Sequence, residues 1–283
     1  MNIPTKKLKN GLEMPVYGFG TWKMGENSSQ KQAEIAAIKE AIEQGITHID
    51  TAEVYANGGA EEIIGEAIKN YDRKKLFLVS KVYGNHLRYD ELLEAAKKSL
   101  ERLKTDYLDL YLLHRFNPQV PLEETMKAMN KLQEQGLIRN IGISNFTVTE
   151  TIEAKKNSKN PVVANQLHLN LKFREPERKG LLKYAQKEDM MFIAWSPLKG
   201  FSFEEKILVD TAKKYGKTAR QIALNWLISQ KNVVTLSKTT TIGHLKENLG
   251  AVDFLMETDD IEKLRNEFPG QEDISDTVPL FDD

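Results

Sequence analysis

Residues 107–113, Tyr-Leu-Asp-Leu-Tyr-Leu-Leu, form an almost unbroken apolar run that ends at His114-Arg115. A strand with one wet face alternates apolar and polar side chains, whereas a continuous run fits a parallel strand covered on both faces. Parallel neighbours need long crossover connections, and the flanking sequence has room for them. Similar runs recur at 46–51, 76–81, 138–144, 162–166, 190–196 and 233–236, with a shorter one at 16–20.

Amphipathic segments separate these runs. Ile35, Ile38 and Ile42 share a helical face that stops at Gly45. Leu92, Ala96, Leu100 and Leu103 form a second stripe, and Leu122, Met126, Met129 and Leu132 a third, bracketed by Pro121 and Gly136. Thr147-Val-Thr-Glu150 and Thr218-Ala-Arg-Gln221 are capping boxes, each opening a helix. Eight strand–helix steps result, and they predict an α/β fold, a closed (β/α)8 TIM barrel. An open doubly wound sheet would carry a Gly-rich phosphate turn after its first strand; Gly18-Phe-Gly20-Thr-Trp-Lys23 lacks the third glycine, and no Walker A motif occurs. Asn10-Gly11 reads as the turn of an N-terminal hairpin that plugs one barrel end, and 259–268 as an extra C-terminal helix before an acidic tail. With no linker or low-complexity stretch, residues 1–283 are read as a single domain.

Composition narrows the function classes. Forty basic residues face 41 acidic ones, for a net charge of -1, which points to no nucleic-acid or membrane-surface partner. The chain has no cysteine, so disulfides, thiol nucleophiles and thiolate metal sites are excluded. No signal-peptide core or membrane-length apolar run is present, and the cytoplasm is the expected location. His48, His86, His114, His168 and His244 show no metal-ligand spacing, and no Gly-x-Ser-x-Gly elbow occurs, so no metal is expected.

A barrel works at the C-terminal ends of its strands. Four groups follow consecutive runs there: Asp50, Tyr55, Lys81 and His114. Taken singly, Asp50 serves equally as a turn cap, Tyr55 as a packed surface ring, Lys81 as a solvated cation and His114 as a structural hydrogen bonder. Taken together they suit carbonyl reduction. A carbonyl that receives hydride needs a proton on oxygen, and a tyrosine supplies it when a neighbouring ammonium lowers its ordinary pKa of about 10. Lys81 is placed to be that ammonium, Asp50 its ion-pair partner, and His114 the donor that orients the substrate oxygen.

These segments resemble the aldo-keto reductase family. Gly18-Phe-Gly-Thr-Trp22, Ile49-Asp-Thr-Ala-Glu-Val-Tyr55, Val79-Ser-Lys81, Asp106-Tyr-Leu-Asp-Leu-Tyr-Leu-Leu-His114 and Ile141-Gly-Ile-Ser-Asn-Phe146 are similar to its motifs, in its order, across nearly the whole chain. The resemblance implies a (β/α)8 barrel, an NAD(P)H-dependent reduction of aldehydes or ketones, reversible, with Tyr55 as proton donor. It also implies a cofactor extended across the barrel mouth: Ser144, Asn145 and Gln166 at the carboxamide, Trp195 stacked on the nicotinamide, Ser196 and Leu198 along the pyrophosphate. Lys238, Thr239, His244, Glu247 and Asn248 would then take the adenosine end. His244 stands where many members have an arginine, and a histidine lacks the permanent guanidinium fork. NADP(H) is favoured, with a weaker preference over NAD(H) than an arginine would give.

Trp22, Tyr83, Arg115 and Phe116 are expected around the substrate, a small carbonyl compound or alcohol. Arg115 has two readings: a cation that favours acidic or polyhydroxylated substrates, or a partner for a nearby acid. Two rival functions are carried alongside: a nucleotide-binding regulatory subunit on the same fold without turnover, and an unrelated metal-dependent or phosphate-binding barrel. A monomer or weak oligomer is expected.

Overall fold

The computed structural model describes residues 2–280; the end of the acidic tail, 281–283, lies outside the described residues. A short antiparallel hairpin, β1 (Thr5–Lys7) and β2 (Glu13–Pro15), precedes eight parallel strands. These are β3 (Tyr17–Gly20), β4 (His48–Asp50), β5 (Phe77–Val82), β6 (Leu110–Leu113), β7 (Ile141–Ser144), β8 (Val162–His168), β9 (Met191–Trp195) and β10 (Val233–Ser237). They close in chain order, with β10 pairing back to β3. Each of the eight apolar runs supplies one strand, and the expected barrel is the observed one.

Helices α1 (Lys31–Glu43), α2 (Gly59–Ile68), α3 (Tyr89–Leu103), α4 (Leu122–Glu134) and α5 (Val148–Asn157) follow β3 to β7 in turn. Two short helices, α6 (Glu175–Arg178) and α7 (Leu181–Lys187), follow β8. Between β9 and β10 come α8 (Lys206–Tyr215) and α9 (Ala219–Ile228); α10 (Ile242–Leu249) and α11 (Thr258–Glu267) follow β10. The expected C-terminal helix is α11. The extra helix α8 was not separated in the sequence; it packs against α9 and α11 and buries Leu208, Thr211 and Ala212. Both capping boxes form, with Thr147 Oγ1 accepting from Glu150 N and Thr218 Oγ1 from Gln221 N. No described helix is long and apolar enough to cross a membrane.

Along each strand, alternate side chains point into the barrel or out to the helices. The inward set includes Val79, Leu112, Ile193 and Val234, and Leu8, Leu12 and Met14 of the hairpin join it. Asn10 and Leu12 lie beside Thr47, Leu76 and Asn140, which precede β4, β5 and β7. The hairpin therefore plugs the N-terminal end of the barrel, leaving the C-terminal mouth for chemistry.

The 107–114 run contracts at its start. Leu108 makes only an isolated bridge to Ile138, because the next residue, Asp109, diverts its carboxylate to Arg73 (2.7 Å) and to the Leu78 amide (2.9 Å). Tyr107 lies outside the strand, between the guanidinium groups of Arg73 and Arg139, 4.0 and 3.9 Å from its ring centre.

Candidate active site

Asp50 ends β4, and its carbonyl is pinned by the Thr21 amide and hydroxyl, both at 3.0 Å. Its carboxylate is buried and doubly bonded: Lys81 Nζ donates to Oδ1 at 2.6 Å and Gln166 Nε2 to Oδ2 at 2.7 Å. Lys81, fully buried on β5, also donates to the Thr51 carbonyl at 2.6 Å. A lone buried ammonium would cost several kcal/mol, so the carboxylate is what allows a charged lysine there. Burial pulls the ammonium down, but Asp50, with help from Tyr55, holds it above its ordinary value.

Tyr55 lies in the turn after β4, with Lys81 Nζ 5.2 Å from its ring centre. The expected lowering of its pKa is not what the resting site gives. Burial raises the phenol, Lys81 opposes that, Asp50 adds to it, and the balance lies above the ordinary value. The hydroxyl is thus held protonated beside a cation, which is the state a proton donor needs.

The His114 ring meets Tyr55 and Tyr83 edge-on, with centroids 5.8 Å from each. Burial, then Lys81 and Arg115, push its pKa down to about 3, so it is a neutral imidazole. Its Nδ1 is buried without a partner. The four sequence-nominated groups therefore meet at one end of the barrel.

The carboxamide candidates form one connected edge. Ser144 Oγ donates to the Gln166 carbonyl at 2.9 Å, and Asn145 Nδ2 reaches Ser144 Oγ at 3.0 Å and the His114 carbonyl at 3.1 Å. Asn145 sits at φ +60°, a left-handed conformation that asparagine tolerates better than most residues. Trp195, at the end of β9, is half-buried, with the His168 ring stacked on one face at 4.3 Å and 11°. Ser196 and Leu198 follow, half-buried, and Asn170 holds the Ser196 carbonyl at 2.8 Å.

At the adenosine end, Lys238 and His244 are exposed and Thr239 half-buried. Glu247 and Asn248 are engaged by the protein: Glu247 accepts from Thr218 Oγ1 at 3.0 Å and pairs with Arg220, while Asn248 Nδ2 donates to Tyr17 Oη and Ser237 Oγ. Asn248 Oδ1 is buried and unpartnered. Among the substrate candidates, Trp22 is 55% exposed with Lys23 over its ring, Arg115 is exposed, Tyr83 touches His114, and Phe116 packs edge-on against Phe146.

Several contributors escaped the sequence reading. Glu53 accepts from the Tyr83 amide at 2.6 Å and contacts His86 Nδ1 at 3.0 Å, fixing the loop that carries Tyr83. It lies inside the Asp50–Tyr55 motif, so its position was a usable signal. The Gln166–Asp50 bond joins residues 116 apart in sequence, and nothing local announces it.

The family model described as the aldo/keto reductase family matches residues 17–208 and 204–266. A methylglyoxal reductase of Escherichia coli is 37% identical over 265 residues, covering 91% of this chain and 92% of the relative. A glyoxal reductase of Bacillus subtilis is 36% identical, covering 92% and 91%. Among solved structures, a thermostable aldo-keto reductase bound to the inhibitor epalrestat superposes with a TM-score of 0.90 at 43% identity, over 93% of this chain and 99% of its own. An aldo/keto reductase from Klebsiella pneumoniae, solved with NADP and acetate, gives 0.87 at 33% identity over 99% and 100%. With motifs, barrel and full-length matches in agreement, the chain belongs to the aldo/keto reductase family.

Proposed function

We propose that the chain, acting as one domain, is an NADPH-dependent reductase of aldehydes and ketones, reversible, with Tyr55 as the proton donor. The observation that carries this reading is the buried Lys81–Asp50 pair beneath a protonated Tyr55, with neutral His114 edge-on to the same ring. The residues present fit a nicotinamide dinucleotide. Two buried polar atoms without protein partners, His114 Nδ1 and Asn248 Oδ1, lie among the catalytic and adenosine candidates. Ser144, Asn145 and Gln166 would hold the carboxamide, Trp195 the nicotinamide face, Ser196 and Leu198 the pyrophosphate. Lys238, Thr239, His244, Glu247 and Asn248 would take the adenosine and its 2′-phosphate. The Klebsiella relative's NADP supports this choice of carrier.

When bound, NADPH supplies the hydride for the carbonyl carbon. His114 orients the carbonyl oxygen, Tyr55 Oη gives that oxygen its proton, and Lys81 stabilises the phenolate left behind. Asp50 and Gln166 keep the ammonium in place. Trp22, Tyr83, Arg115 and Phe116 would bound the substrate, and the names of the curated relatives point to small dicarbonyls. The balanced charge supports the reading without nucleic-acid or membrane-surface partners; a cytoplasmic protein, monomeric or weakly associating, completes the proposal.

Tyr55→Phe tests the assignment. Turnover of methylglyoxal should fall about 100- to 10,000-fold while NADPH binding is kept. Retained turnover removes Tyr55 as the acid. An unaltered protein that binds NADPH yet turns over no aldehyde supports the regulatory reading instead.

A further inference from the structure

We propose that His168 is a positioning residue: it sets Trp195 for the nicotinamide and is itself latched by the C-terminal segment. The inference rests on reading Trp195 as the nicotinamide's stacking partner. His168 ends β8, and its ring lies flat on the indole, 4.3 Å between centroids and 11° between planes. Phe173 covers the imidazole as well, at 4.7 Å and 33°. One face of the half-buried Trp195 is thereby taken, and the stacking assignment puts the nicotinamide on the other.

The chemistry of His168 argues for more than packing. The ring is buried, its Nε2 has no partner, and burial pushes its pKa down to about 4, with Asp276 and Lys199 as the nearby charges. A phenyl ring would fill the same slot without an orphaned nitrogen. What imidazole adds is Nδ1, which shares a hydrogen bond with Ser275 Oγ at 2.7 Å. This bond fixes the ring plane, and through the stack the plane of the indole.

Ser275 is anchored in turn. Its amide donates to Glu175 Oε2 at 2.8 Å, and the Leu280 amide to Glu175 Oε1 at 2.9 Å. Glu175 is buried at the start of α6 and paired with Lys179. The same segment grips the loop after Trp195, where Lys199 Nζ meets Asp276 at 2.9 Å and Thr277 Oγ1 at 2.6 Å. A buried carboxylate thus clamps the tail, the tail holds His168, and His168 holds Trp195.

Calorimetric titration with NADPH and with 2′,5′-ADP, which lacks the nicotinamide, tests this in Ser275→Ala, His168→Phe and Trp195→Leu. Loss of one latch hydrogen bond should weaken NADPH about three- to tenfold in each of the first two variants, with 2′,5′-ADP unchanged. If Trp195→Leu weakens NADPH but both latch variants bind as the unaltered enzyme does, the positioning role is wrong. Equal weakening of both ligands marks general loss of structure and also overturns it. If Trp195→Leu binds NADPH normally, the stacking assignment itself fails, and the inference falls with it.

Discussion

Lys81 and Asp50 are fully buried charges that exist only because each has the other. Removing one partner of such a pair leaves an uncompensated charge, whereas removing both does not. Lys81→Met should therefore lose about 3–5 kcal/mol of stability. Asp50→Asn combined with Lys81→Met should regain most of that, since Gln166 Nε2 still finds an acceptor at position 50. Turnover should stay lost in both variants, because Tyr55 lacks its cation either way. Urea denaturation with parallel activity measurements separates the two roles. A double variant as unstable as the single one would show that the pair matters for more than charge balance. The four catalytic candidates were legible as residue types at strand ends. Their protonation states were not: the proximity of Lys81 suggested a lowered phenol, yet burial, which depends on the whole assembled mouth, decides the direction for Tyr55.

Strands β3 and β4 show why a motif can be visible while its reason is hidden. Gly18 and Gly20 suggest a failed phosphate turn, but in the barrel they admit neighbours. Gly18 pairs with His48, and a Cβ on it would stand 2.3 Å from His48 Nδ1; one on Gly20 would meet Leu236 Cδ1 at 2.9 Å. Gly18→Ala should cost about 1–3 kcal/mol through overpacking. A Gly18→Ala/His48→Ser double variant should be less destabilised than the sum of the singles, since the smaller side chain vacates the space. Strict additivity in denaturation midpoints would refute the steric account. At this scale the existence and order of the eight barrel strands were readable, though not all their ends, because parallel strands covered on both faces leave continuous apolar runs. The hairpin and the capping boxes carried their own local turn and cap chemistry. What stayed hidden depends on distant partners: α8, whose stripe is short, and the docking of the tail onto Glu175 and His168, about a hundred residues earlier in the chain.

The molecule as a whole buries three histidines in their neutral form. Burial is the leading cause in each case, lowering His48 to about 4, His114 to about 3 and His168 to about 4. In the unfolded chain each returns to about 6.5. Between those values the unfolded state binds protons that the folded state refuses, so stability is lost as pH falls below about 6.5 and is kept above it. Each histidine contributes up to about 1.4 kcal/mol per pH unit through that window. Exposed carboxylates lowered by lysine partners, such as Glu66 and Asp210, push the same way, but only at more acidic pH. Urea midpoints should therefore fall from pH 7 to pH 5, before most carboxylates titrate. His48 belongs to the packing of β3 against β4 and not to the catalytic mouth, so His48→Met should flatten the slope by about one proton without touching His114. A midpoint independent of pH across this range, or a slope unchanged in His48→Met, would mean that these rings take up protons while folded. Two of the three rings, His114 and His168, stand at the mouth itself, so acid that charges them should cost cofactor binding along with stability.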